Sequence, residues 1–449
     1  MKILVIILSV FLAAPPAFAG KMTLEQAFER ALAGNPTIKA VVARINQARE
    51  EVTRTRAAYY PQLDLSTGAT RSRISRNEKE ASSSLQRVSE TYDGSLSASW
   101  VLFSGFSRKY ALEAAVLGQE QETVDHADTI RTLMASVAES FHTAQLALAN
   151  QYISESNRDF YAGQLETARI KQKAGVGSLT DVLNFNTRMN QAQIEMEQYR
   201  SDFDVARTAL AALLGDDVST TPLPDPVFPE ENGDLDMAVP DPESEISFAM
   251  SHRPDLARQE LALRIAKANA GEAKAEFFPE ISLSGSVGAD RTNSARFDAH
   301  DIENSVGIEL TYPLYSGGED RAALRKALYA GAEAEQDLKN LKNEIVSQVR
   351  QDCFAVDAAR NQLRLYRENA TLAKQNRDMV AKEYEFGTAD LVTLNEVQNT
   401  LTETRQRIAL SLITLRQARY ELLASTGAIY RKKNGADTGA TAPAPSGQD

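Results

Sequence analysis

Thiol and imidazole side chains are few in this 449-residue sequence, and its carboxylates are scattered along the chain. The single cysteine, Cys353, can form neither an internal disulfide nor a multi-thiolate metal site, and the four histidines have no close ligand spacing. The segment 175–180 has two glycines of a dinucleotide-binding fingerprint but lacks the third and follows a helical pattern, which indicates a turn. No nucleophile elbow, P-loop or HExxH motif occurs. We therefore expect no enzyme activity, no cofactor and no metal site.

The charge balance excludes a further class of function. Lys and Arg number 49 against 61 Asp and Glu, which gives a net charge of -12. Binding to nucleic-acid phosphates requires clustered cations, whereas the excess of acids is spread along the whole chain. Nucleic acid is therefore not an expected partner.

Residues 1–19 have the features of a secretory signal peptide. Lys2 precedes an apolar run over residues 3–14, and small residues at 17 and 19 form a cleavage site before Gly20. The run is too short to span a bilayer and is followed by two prolines, and no cysteine after the cleavage site is available for a lipid anchor. We expect an exported protein without a membrane-spanning helix.

The positions of the prolines indicate where the helices and the connector of the chain lie. None of the 15 prolines lies between Pro61 and Pro222 or between Pro313 and Pro443. Because proline costs about 3 kcal/mol inside a helix, these intervals predict long helices. The prolines that crowd into residues 222–242 predict an extended connector over 216–243.

The sequence on either side of this connector is duplicated. The prolines of the Asn35-Pro36 and Tyr60-Pro61 pairs recur 218 positions later as Pro254 and Pro279, and the LFSG segment at 102–105 recurs as LYSG at 314–317. We therefore predict a first repeat over 20–215, a second over 244–430, and a disordered tail over 431–449 that lacks large apolar residues.

Each repeat contains a helix with a seven-residue apolar period, which is typical of coiled-coil packing. The two rows are related by the same shift of 212 that relates Gly175 to Gly387. They comprise Val182, Met189, Met196, Phe203 and Leu210 in the first repeat and Leu394, Leu401, Ile408, Leu415 and Leu422 in the second.

Four segments have the two-residue period of strands with one apolar and one polar face. They lie at about 62–72, 93–103, 280–290 and 305–315. The proposed apolar face comprises Leu63, Leu65, Thr67, Ala69, Leu96, Ala98, Trp100, Leu102, Ile281, Leu283, Gly285, Val287, Ile308, Leu310, Tyr312 and Leu314. The lengths match the roughly 9–11 residues of a tilted transmembrane strand, although a soluble sheet with one buried face would show the same alternation.

Four strands cannot close a barrel, and open edges are not tolerated in lipid, so a membrane location requires oligomerisation. Twelve strands from a trimer can leave a pore, whereas eight from a dimer fill with side chains; strand number alone leaves a tetramer open. Uninterrupted helices from Ser107 to about Ala174 and from Glu319 to about Glu385 would each span roughly 100 Å, which suits a tunnel below a barrel.

The order of these motifs resembles the TolC family of outer-membrane channel proteins over nearly all of the mature chain. The likeness rests on LEQAFERALAGNPTIKA, YPQLDLS, FPEISLS, LFSG, LYSGG, AGVGSLTDVLN and YEFGTADLVTLNEV. It implies a mainly α fold with internal duplication, in which a homotrimer forms a 12-stranded outer-membrane β-barrel joined to a coiled-coil tunnel in the periplasm of a Gram-negative bacterium. It also implies an exit duct for drug efflux or type I protein secretion, contacting outer-membrane lipid, a periplasmic adaptor and an inner-membrane pump of ABC or RND type.

The resemblance also implies roles for residues of two helical hairpins. The turns that dock on the adaptor are expected at Gly175, Gly177, Ser178, Leu179, Gly387 and Thr388. The periplasmic gate is expected at Thr180, Asp181, Tyr384, Thr393 and Glu396, with the aspartate linked to the tyrosine in the closed state. An arginine of some family members is replaced here by Ala389, and of two inward-facing acids only Glu396 is retained.

A soluble periplasmic coiled-coil scaffold or adaptor is the alternative function. It accounts for the helices but not for duplicated strands with one apolar face. The sequence does not distinguish a polypeptide cargo from a small molecule, because we expect the pump to select it.

Overall fold

The computed structural model describes residues 21–73, 88–217, 219, 221–229, 233–236 and 238–429. The predicted signal peptide and tail lie outside the described residues, as does most of the loop expected between the first two strands. None of the described helices has both the length and the apolar character required to cross a bilayer.

The described elements occur in the same order in both halves of the chain. The first half contains α1 (Leu24–Gly34), α2 (Pro36–Ala57), β1 (Gln62–Arg73), β2 (Val88–Ser104), α3 (Ser107–Lys173) and α4 (Leu179–Leu214). The second half contains α5 (Pro242–His252), α6 (Pro254–Ala275), β3 (Glu280–Thr292), a 3-10 turn (Ala299–Asp301), β4 (Ile302–Thr311), α7 (Glu319–Glu385) and α8 (Leu391–Thr426). Corresponding helices have 11, 22, 67 and 36 residues in both halves, which confirms the internal duplication.

The chain divides into two compact units. One, the hairpin unit, contains the described residues within 1–36, 132–241 and 351–424, including the turns that join α3 to α4 and α7 to α8. The other contains those within 37–131, 242–350 and 425–449, including the sheet. Helices α3 and α7 contribute residues to both units.

The four strands form one antiparallel sheet in the order β1-β2-β3-β4. The register aligns the predicted apolar face across all of them, since Leu65 lies opposite Leu96, and Leu283 lies between Trp100 and Ile308. Most of this face is solvent-exposed in the single chain, with Leu65 76% and Ile308 72% exposed. The opposite face carries serine pairs such as Ser286 and Ser305, whose hydroxyl oxygens lie 2.9 Å apart.

Two strand boundaries and one face assignment differ from the sequence prediction. Strand β2 begins at Val88, which pairs with Arg73, rather than near 93. Strand β4 ends at Thr311, so Tyr312 and Leu314 lie outside it; Pro313 has no N–H to continue the ladder.

The prediction for Leu102 on the apolar face was wrong. A shift in register after Val101 places Phe103 opposite Ile281, so Phe103 takes the position on that face. An extra residue reverses the alternation for every residue that follows it.

The hairpin unit has an apolar core that follows the seven-residue rows. Leu394, Leu401 and Leu415 are fully buried, as is Leu210 of the first row. Arginines hold the proline-rich connector against these helices: the Arg207 Nε donates to the Pro224 carbonyl at 2.6 Å, and the Arg416 Nη2 lies 2.9 Å from the Asp234 carboxylate.

Candidate functional site

The turn of the first hairpin joins α3 to α4 through residues 174–178. Gly175 has a φ of 75°, which side chains with a Cβ rarely adopt. Ser178 caps α4, because its hydroxyl accepts a hydrogen bond from the Thr180 amide at 3.0 Å. Asp181 lies in the first turn of α4, where the positive end of the helix dipole favours a carboxylate.

The turn of the second hairpin has the same backbone plan. Gly387 has a φ of 76°, and Asp390 accepts a hydrogen bond from the Thr393 amide at 2.7 Å before α8 begins. The hydrogen bonds from the Thr393 side chain and backbone lower the pKa of Asp390. The Thr388 hydroxyl donates to the Glu383 carbonyl at 3.0 Å and closes the end of α7.

The two hairpins are linked by the pair expected from the sequence. The Tyr384 hydroxyl donates to the Asp181 carboxylate at 2.9 Å, and Tyr384 is buried. Burial and the hydrogen bond to Asp181 raise the pKa of Tyr384, so its phenol remains protonated at neutral pH and serves as the donor. A hydrogen bond to a carboxylate is stronger than one between neutral groups.

An apolar cluster surrounds this hydrogen bond. The Phe185 ring packs edge-on against Tyr384 with 5.9 Å between centroids, and Tyr161 and Leu394 complete the buried centre. Ala389, which replaces the arginine of some family members, packs against the same cluster. The cluster limits the access of water to the bond, which strengthens it.

The other predicted gate residues are not brought to Tyr384. Thr180 and Thr393 are exposed, and the contacts of their amides are those of the helix caps. Glu396 is exposed on α8, and its carbonyl accepts a hydrogen bond from the Thr400 hydroxyl. Of the five predicted gate residues, Asp181 and Tyr384 therefore form a hydrogen bond between the hairpins.

The predicted docking residues lie in the two turns, which present apolar side chains. Leu179 is 57% exposed, and the neighbouring Val176 and Phe386 are 79% and 83% exposed. Gly177 lies close to the backbone of Gln172, with no room for a Cβ. In the described part of the chain, no group of three or more potential metal ligands comes together.

The outer membrane efflux protein family model matches residues 27–216 and 246–428, which is most of the chain. The chain belongs to the outer membrane efflux protein family. The match confirms the family and the outer-membrane location predicted from the sequence.

Proteins similar to this chain show how far the likeness extends. The pyoverdine export outer membrane protein OpmQ of Pseudomonas aeruginosa is 25% identical over 93% of this chain and 86% of its own length. The alkaline protease secretion protein AprF of the same organism is 26% identical over 74% of this chain and 69% of its own length. The solved structure of the outer-membrane channel OprN superposes with a TM-score of 0.75 at 21% identity, covering 90% of this chain and 89% of the other. The predicted fold class, with long helices and four strands per chain, is thereby confirmed.

Three residues near the Tyr384–Asp181 hydrogen bond of this outer membrane efflux protein were not predicted from the sequence. Phe185 and Tyr161 form the buried aromatic centre, and the Lys171 ammonium lies 5.2 Å from the centroid of the Tyr384 ring. Phe185 follows Val182 by three positions and could have been placed on the buried stripe of α4. A lysine in the last turn of a helix carries no comparable signal, because such lysines are common there.

Proposed function

We propose that this protein is the outer-membrane exit duct of a tripartite export system, passing cargo delivered by an inner-membrane pump through a periplasmic adaptor. Family membership carries this proposal, and the exposed apolar face of the sheet supports it. The relatives named above export a small molecule and secrete a protease, so the cargo class stays open between the two.

The functional unit is a homotrimer. The sheet supports oligomerisation, because β1 and β4 are the outer strands of the four-stranded order and their free edges require partners in lipid. Three copies supply twelve strands, enough to surround a pore.

Native mass spectrometry in detergent tests this assembly directly. We expect a mass three times that of the mature chain. A stable monomer, or a protein that stays monodisperse without detergent, would contradict the channel and favour a soluble scaffold.

The hydrogen bond between Tyr384 and Asp181 acts as the closing link of the periplasmic gate. Its support is the contact between two separate hairpins, its charge-assisted character and its buried aromatic surroundings. In the trimer, Glu396 and Thr393 would face the axis, where Glu396 attracts cations.

The hairpin turns dock on the adaptor. Val176 and Phe386, next to Gly175 and Gly387, offer an exposed apolar surface for this contact. Replacing both glycines with valine should distort the turns, because valine disfavours a positive φ, and should abolish transport while the trimer persists. Crosslinking to the adaptor that is unchanged in the double variant would refute the docking role.

A further inference from the structure

Lys171 joins the last turn of α3 to the end of α7. Its ammonium donates a hydrogen bond to the Glu385 carbonyl at 3.3 Å and lies 5.2 Å from the centroid of the Tyr384 ring. Both contacts cross from the first hairpin to the second. The side chain is half-buried, so water screens these contacts only in part.

The position of the ammonium complements the end of α7. Glu385 is the last residue of that helix, where carbonyl groups lack partners within the helix and the dipole is negative. The amides of the following turn bond to carbonyls of the preceding residues, as Phe386 does to Lys382 and Gly387 does to Tyr384. Lys171 provides a donor for the Glu385 carbonyl.

Tyr384 is therefore held by two groups of opposite charge from the first hairpin. Asp181 accepts a hydrogen bond from its hydroxyl, and the Lys171 ammonium faces its ring. A cation is attracted to the electron-rich face of an aromatic ring. Ala389 of the second hairpin packs against the cluster without a charge, whereas Lys171 of the first hairpin places a cation at the Tyr384 ring.

We propose that Lys171 is a positioning residue of the closed gate, which holds Tyr384 and the end of α7 against the first hairpin. This inference rests on the proposed gating function of the hairpins. Opening would require Tyr384 to leave both the carboxylate and the ammonium, so the two contacts add to the bias toward the closed state.

Single-channel conductance of the purified full-length protein in planar bilayers tests the proposal. Lys171→Met keeps the length of the side chain but removes the charge, and it should raise the open-to-closed ratio about two- to fivefold. Lys171→Arg should behave as wild type, since a guanidinium can make both contacts. Lys173→Met is the matched control, because Lys173 is an exposed lysine of the same helical turn. Equal ratios for Lys171→Met and wild type, or equal increases for both Met variants, would overturn the proposal.

A comparison of two variants of Tyr384 identifies which contact of Lys171 changes the open-to-closed ratio. Tyr384→Phe loses the hydrogen bond to Asp181 but retains the ring, so Lys171→Met should still raise the ratio in that background. In a Tyr384→Leu background the ring is absent. The increase in the open-to-closed ratio caused by Lys171→Met should then be smaller, because only the contact with the Glu385 carbonyl remains to be lost. An undiminished effect in Tyr384→Leu would show that the ring is not the partner.

Hydrogen exchange measured by mass spectrometry separates this inference from the proposed function. Lys171→Met should speed the exchange of amides in residues 384–390 at least twofold, whereas Lys173→Met should not. If the wild type forms no conducting pore, the proposed function fails, and the exchange rates still decide whether Lys171 holds the end of α7. Unchanged exchange in Lys171→Met would refute the inference even in a conducting channel.

Discussion

The two hairpins share a backbone plan but differ in their side-chain environments. Their long helices both have 67 residues, and Gly175 and Gly387 have nearly identical positive φ angles. The position that corresponds to the buried His142 of α3 is Phe354 of α7; these residues are 3% and 63% exposed. The position that corresponds to Asp181 is the exposed Thr393.

This difference arises from what covers each helix. Val137 and Ala144 of α3 correspond to Val349 and Val356 of α7, and all four are buried. The first long helix is buried on an additional side, where Tyr420 of α8 packs on the His142 ring with 5.6 Å between centroids. Duplication thus preserved the backbone and the shared core stripe, while unequal neighbours gave the two copies different roles.

The largest effect on assembly is expected from substitutions at corresponding strand residues on the apolar face. Leu65→Arg and Leu283→Arg place a cation on this face, and each should cost roughly 2–4 kcal/mol near the bilayer midplane and impair assembly. The two variants should impair assembly to a similar extent, because closure of the barrel would give Leu65 a second cross-strand neighbour from an adjacent protomer, as Leu283 already has in Trp100 and Ile308.

Trimer yield from membranes, measured by native electrophoresis, checks this prediction. Ser66→Arg and Ser284→Arg on the polar face are the matched controls and should assemble. Normal insertion of both leucine variants would contradict the assignment of the lipid face.

A smaller effect concerns the pH dependence of stability. Burial lowers the pKa of His142 from 6.5 to about 4, so the folded protein favours the neutral imidazole. The stabilisation of the neutral form is present above pH 6.5 and is lost as the pH falls toward 4, up to about 3 kcal/mol.

Thermal unfolding in detergent across this pH range measures the loss. His142→Phe, which cannot titrate, should flatten the pH dependence relative to wild type. Phe354→His places an imidazole at the corresponding exposed position and should leave the pH profile unchanged. A profile for His142→Phe that matches wild type would assign the pH dependence to other groups.

The smallest effect is the difference in single-channel conductance between a variant of Asp181 and a variant of its counterpart Thr393. Removing the link with Asp181→Ala and Tyr384→Phe should cost the closed state about 1.5–3 kcal/mol per protomer, the value of a hydrogen bond to a charged group. Single-channel conductance in a planar bilayer should therefore rise. Thr393→Ala should conduct as wild type, because Thr393 does not contact Tyr384; a rise with Thr393→Ala alone would place the gate elsewhere.

Much of the fold could be predicted from local patterns. The seven-residue rows through Leu210 and Leu394, and the alternation at Leu65 and Leu283, report which face of each element is apolar. The bulge that places Phe103 rather than Leu102 on the apolar face could not be predicted. Both residues are apolar, so the alternation is compatible with either one on that face.

The candidate site was predicted in part. The resemblance paired Asp181 with Tyr384, and the structure places them in a hydrogen bond. It also grouped Thr180 and Thr393 with them, and in this chain the amides of these two residues donate to the capping side chains of Ser178 and Asp390. Cap residues and gate residues share polar side chains and neighbouring positions, so their sequence signals overlap.

The sequence by itself determined the duplication, the lengths of the long helices, the strand faces before the bulge in β2 and the turns at Gly175 and Gly387. These features depend on contacts between residues close in the chain, where period and backbone preference are decisive. Only the tertiary structure decided that Lys171 reaches Tyr384 and that His142 is buried whereas Phe354 is exposed. Those outcomes depend on which helix faces meet across hundreds of residues of chain, and a periodic pattern indicates that a face is covered without indicating what covers it.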